Sequence, residues 1–205
     1  MNVSKRYLNG WMVSGVAAIA IAVVPGSASA QSATGGIRVG ATASSFSNDD
    51  SDDSKLRLGA NPGVFVDFNV NPRIAIRLEG AYAMKGMKGD GYTAALDYIE
   101  APILLSVRPS SRQSVILRAG LAPARKIGAK YKFGGQSTEY GDMVHAFDLG
   151  VVVGLGLGPV DVRYTRGTKP VFNFNDPEDS DSDDKNQAIS VGVSFALFGK
   201  HRTTR

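Results

Sequence analysis

Ten ionisable residues carry the chemistry that recurs along this chain. Arg38, Arg57, Arg77, Arg118 and Arg163 share one side of alternating stretches with Asp67, Glu79, Glu100, Asp148 and Asp161. A guanidinium withdrawn from water needs a carboxylate partner, so the balanced set predicts an internal ion-pair network. Glu79 and Glu100 could also be read as an acid/base pair. Arginines on neighbouring stretches favour structural pairing instead.

Two acidic segments stand apart. SNDDSDDS (47–54) holds Asp49, Asp50, Asp52 and Asp53, and DSDSDD (179–184) holds Asp179, Asp181, Asp183 and Asp184. Carboxylates at alternate positions resemble the start of a calcium loop. Asp184, however, stands where that loop needs glycine, and Ser190 where it needs the closing glutamate. Two readings stay open: a solvated segment, or weak Ca2+ or Mg2+ binding that bridges lipopolysaccharide phosphates. His145 and His201 are the two histidines. His145 falls on the apolar side of its stretch with no serine in register, and no nucleophile or metal-ligand motif occurs elsewhere. The chain is not expected to be an enzyme. Its net charge of +4 gives no reason to expect nucleic acid as a partner.

The elements that must position these residues are strands. Lys5 and Arg6 precede an apolar run from Trp11 to Val24, and Ala28-Ser29-Ala30 offers small residues for cleavage. The expected organisation is a signal peptide over 1–30, a barrel over 31–198 and a basic tail over 199–205. There is no cysteine, so an exported chain would fold without disulfides. Alternating stretches fall near 36–46, 55–69, 73–86, 94–108, 113–125, 143–157, 160–169 and 188–198. Longer polar loops (47–54, 87–93, 126–142, 170–187) alternate with tight turns at VNP (70–72), PSSR (109–112) and GP (158–159). Loop asymmetry of this kind predicts an all-β, eight-stranded antiparallel up-and-down transmembrane barrel.

Which face meets lipid is decided by magnitude. In RIAIRLEGAYA (73–83), Ile74, Ile76, Leu78 and Tyr82 oppose Arg73, Arg77 and Glu79. An arginine facing lipid at the midplane costs about 2–4 kcal/mol. Five would cost roughly 10–20 kcal/mol, which rivals a whole domain's stability of about 5–15 kcal/mol. The charged side therefore belongs inside. Gly40, Gly59, Gly63, Gly120, Gly150, Gly154, Gly156 and Gly192 share it and would make room for long side chains.

GIRVGATASS (36–45), LEGAYAMKG (78–86), DYIEAPILLSV (97–107) and AGLAPA (119–124) resemble the PorT-type outer-membrane β-barrel family, with Tyr98-x-Glu100-x-Pro102 the most specific match. The resemblance implies an OmpA- and OmpX-like eight-stranded barrel in a Gram-negative cell envelope. It implies little about activity. Such barrels commonly end on an aromatic residue that the barrel assembly machinery reads, whereas here GKHRTTR (199–205) follows Phe198.

The expected role is structural or interactive, through outward acidic loops around a side-chain-filled lumen. Outer-membrane lipid, lipopolysaccharide and a protein at the loops are the expected partners, and no cofactor is expected beyond loop-bound cations. Alternatives are a narrow small-solute porin and a secreted, soluble, lipocalin-like ligand-binding barrel. Tyr92, Tyr131, Phe133, Tyr140, Phe172 and Phe174 would form an interfacial girdle, the outermost of them alternatively a contact surface.

Overall fold

The computed structural model describes residues 33–47, 55–110, 114–139, 141, 144–171 and 184–199. It contains β1 (Ala33–Phe46), β2 (Lys55–Ala60), β3 (Gly63–Asn69), β4 (Ile74–Gly89), β5 (Tyr92–Glu100), β6 (Ile103–Val107), β7 (Val115–Phe133), β8 (Gln136–Glu139), β9 (Phe147–Leu157), β10 (Val160–Pro170) and β11 (Lys185–Phe198). Among the described residues these strands pair antiparallel throughout.

These eleven strands make eight staves. Pro62 and Pro102 cannot donate to a ladder, so two predicted continuous strands are each split, into β2 and β3 and into β5 and β6. The proline carbonyls still accept across the breaks, from Tyr82 N at 2.9 Å and from Glu79 N at 2.9 Å. β8 is a short return strand hydrogen-bonded to the far end of β7. The last strand pairs with the first, from Gly35 opposite Phe198 to Phe46 opposite Asn186. Closure is uneven at one seam. β2 meets β4 through only Lys55–Lys88 and Leu56–Met87, and side chains bridge the gap below.

Two expected loops prove to be extended sheet. β4 and β5 run on to a two-residue turn, Asp90-Gly91, in which Gly91 takes φ +79°, a conformation that favours glycine. β7 continues to Phe133 and returns through β8, where a loop over 126–142 was expected. Cross-strand pairing of Tyr92–Phe133, Ala94–Tyr131 and Lys132–Ser137 extends the sheet at this end. Tyr92 and Tyr131 stack there with ring centroids 5.7 Å apart.

The apolar side faces out. Val39, Leu58, Ile103, Leu105, Val153, Leu155, Ile189, Val191 and Phe195 are all exposed and form a belt around the staves. Inside, toward the long-loop end, Phe46, Ala83, Met87, Leu96, Tyr98, Val144 and Val171 pack into an apolar cluster.

Candidate functional site in the lumen

Period-two alternation delivers the charged side chains to the interior. On β4, Arg77, Glu79, Ala81, Ala83 and Lys85 follow one another on the inward side. On β10, Asp161 and Arg163 do the same.

Toward the short-turn end these groups form a connected set. Arg38 Nη2 donates to Asp161 Oδ1 at 2.8 Å and Arg38 Nη1 to Asn61 Oδ1 at 2.6 Å. Arg77 holds Asp67 through two hydrogen bonds of 2.7 Å, and its guanidinium lies 4.0 Å from the centre of the Phe65 ring. Arg163 donates to both oxygens of Glu79, at 2.6 and 2.8 Å, and its Nε lies 2.8 Å from Asp161 Oδ1. Since β4 and β10 are not neighbours in the sheet, the Arg163–Glu79 pair crosses the lumen. Bidentate arginine–carboxylate contacts are among the stronger charge-assisted bonds.

Glycine makes this arrangement sterically feasible. A Cβ at Gly192 would lie 2.4 Å from Arg38 Nη2, and one at Gly156 would lie 2.7 Å from Arg118 Nη1.

The pairing differs from five arginines matched with five acids. Lys85 sits 2.5 Å from Glu100 Oε1, with its ammonium 5.6 Å from the centre of the Tyr98 ring. Arg57 donates to the carbonyl of Lys85 across the weak β2–β4 seam, and its Nη2 lies 3.9 Å from Asp97 Oδ1. Asp97 is an acid on the opposite parity from Glu100. Arg118 and Asp148 make no ion pair within 4.0 Å among the described residues. Asp148 instead accepts from the backbone N–H of Leu149 at 2.7 Å. Sequence reasoning missed Lys85, although it shares the parity of Arg77 and Glu79. It also missed the Tyr98 hydroxyl, which accepts from Asn186 Nδ2 at 3.1 Å.

A cavity of about 20 Å3 lies in the lumen, lined by Glu79, Lys85, Glu100, Pro102 and Arg163 among others. That is room for water and for nothing larger.

The other candidate residues fare differently. Asp49, Asp50, Asp52, Asp53, Asp179, Asp181 and Asp183 lie outside the described residues, as do Tyr140, Phe172, Phe174 and His201. Asp184 is described, and its carbonyl accepts from Val171 N at 2.7 Å. Among the described residues, no three His, Cys, Asp or Glu side chains gather as a metal site. His145 precedes β9 and is half-buried, where an outward place on a strand was expected; its backbone N–H donates to the Val171 carbonyl at 3.1 Å.

The family model described as "Outer membrane protein beta-barrel domain" matches residues 16–196. No curated protein matches the chain in sequence. Among solved structures, the chain is similar to Ail, the attachment invasion locus protein of Yersinia pestis, in complex with the heparin analogue sucrose octasulfate. That likeness has 15% identity and a TM-score of 0.51, covering 82% of this chain and 100% of that one. Neisserial surface protein A is similar at 15% identity and a TM-score of 0.50, covering 80% of this chain and 99% of that one. At such identities the likeness shows the fold alone, an antiparallel up-and-down barrel.

Proposed function

Because the chain belongs to the outer-membrane-protein β-barrel family, we propose that it is a sealed barrel acting as a structural or interaction protein, without catalysis. The observation that carries this reading is the Arg163–Glu79 pair spanning the lumen at 2.6 and 2.8 Å. Eight staves leave an interior that side chains can fill, and the apolar cluster of Phe46, Leu96, Tyr98 and Val171 lies between that pair and the long-loop end. A solute would have to break buried ion pairs and displace apolar side chains to pass.

Activity then falls to the outer end. The extended β4–β5 and β7–β8 hairpins and the acidic segments present a surface to lipopolysaccharide or to a protein partner, with the acidic segments open to weakly held divalent cations. The signal sequence would export the chain, and the barrel assembly machinery would insert it. The PorT-type resemblance of Tyr98-x-Glu100-x-Pro102 fits this account, because Tyr98 and Glu100 both point into the lumen.

Planar-bilayer recording tests the proposal. The folded chain should insert without steady conductance, as judged alongside a heat-dependent shift on SDS gels that reports an intact barrel. A stable open level from heat-modifiable protein would overturn the sealed lumen and favour a small-solute porin.

A further inference from the structure

The ten charged residues of the inward parity balance in number but not in position along the barrel. At the short-turn end the connected set of Arg38, Arg77 and Arg163 with Asp67, Glu79 and Asp161 is balanced, and Arg118 stands beside it as a fourth cation against three anions. The fifth acid of that parity, Asp148, is remote. Gly154 stands opposite Arg118 in the β7–β9 ladder, and Asp148 is six residues further along β9, roughly 20 Å away.

Arg118 is therefore the uncompensated member. It is 6% exposed, and its Nε and Nη1 find no acceptor among the described residues. Arg77 and Arg163 repel it, while Asp67 and Asp161, which attract it, are already held by Arg77, Arg38 and Arg163. A buried guanidinium without a counter-charge is strongly unfavourable.

A second unpartnered group lies beside it. Ser106 is Arg118's cross-strand partner on β6, points into the same lumen at 3% exposure, and its hydroxyl has no hydrogen-bond partner among the described residues. On the other side of β7, Gly154 and Gly156 of β9 leave the room that the Arg163 and Arg118 side chains themselves occupy. Guanidinium N–H groups and a hydroxyl all donate, so the group they would hold is an acceptor with negative charge.

We infer that Arg118 and Ser106 bind one small monovalent anion, of the chloride class, near the short-turn mouth of the lumen. One negative charge cancels the excess of one cation. A narrow, filled interior excludes anions of sugar-phosphate size. Arg118 lies near the start of β7 at Val115, so the anion enters from that mouth and the sealed outer half is not involved.

The test uses the full chain folded in detergent micelles. Unfolding midpoints are measured in chloride and in gluconate at equal ionic strength, for the parent chain and for Arg118→Met and Ser106→Ala. Chloride at ten times its dissociation constant should favour the folded parent about tenfold. Arg118→Met should lose that response, and Ser106→Ala should retain a weakened one. Crystals grown in bromide should show an anomalous peak within hydrogen-bond distance of the Arg118 guanidinium. Identical responses of parent and Arg118→Met, or no response in the parent, would overturn the inference. Should Arg118→Met fail to fold, the Ser106→Ala response and the bromide peak decide it, and absence of both counts against the site.

Discussion

Arg163 on β10 and Glu79 on β4 meet across the lumen through two hydrogen bonds, so one ion pair ties together staves that share no ladder. Glu79 also lies 3.4 Å from Arg77 Nη1, which makes it the shared acceptor of two buried guanidiniums. Replacing it with glutamine, Glu79→Gln, should cost about 3–5 kcal/mol, because it leaves buried cations short of a counter-charge. Urea unfolding of the barrel in detergent would register the loss as a lower midpoint with an unchanged slope.

The glycine at 192 should be as sensitive to enlargement as a core position. A Cβ there meets Arg38 Nη2 at 2.4 Å, so Gly192→Val should cost about 1–3 kcal/mol through overpacking. The clash is with a side chain, and Arg38→Met should relieve part of it. A double-mutant cycle on unfolding free energies should therefore show coupling between the two sites. Strict additivity would mean that the backbone, and not Arg38, is what resists the change.

Depth should govern the cost of charge on the outer face. Val153 lies mid-strand on β9 and is 51% exposed. Val153→Arg should destabilise a lipid-embedded barrel by about 2–4 kcal/mol. Phe133 is 62% exposed at the tip of the β7 extension, where Phe133→Arg should cost about 0–1 kcal/mol. Folding titrations into lipid vesicles would separate the two; equal costs would place Val153 outside the apolar band.

Tyr98→Phe removes the acceptor for Asn186 Nδ2 inside the outer cluster. The stranded amide should lower stability by about 1–3 kcal/mol, read as an earlier loss of the folded band when samples are heated before electrophoresis.

Much of this architecture was legible in the sequence because one rule, alternation, governs both faces of a barrel. Ile74, Ile76 and Leu78 against Arg77 and Glu79 already assigned inside and outside once lipid was weighed against buried charge. What alternation does not encode is height along the barrel. Asp148 and Arg118 share a parity, yet the β7–β9 register holds them far apart, and no count of charges could separate them. Nor does it show where strands stop. Pro62 and Pro102 break two stretches that alternation reads as continuous, and Lys126, Lys130 and Lys132, expected in a loop over 126–142, are sheet because partners on β5 and β8 satisfy the backbone.

The pairing of β1 with β11 has a kinetic consequence. Ile37 stands in register opposite Phe195, so the contact that completes the fold joins residues near opposite ends of the sequence. Contacts of such long sequence separation form late and slowly. Until they form, both end strands present unpaired backbone edges that invite association with other chains. The order of events during biogenesis is therefore set by geometry: a nascent chain has to be guarded from its own kind until its last strand arrives.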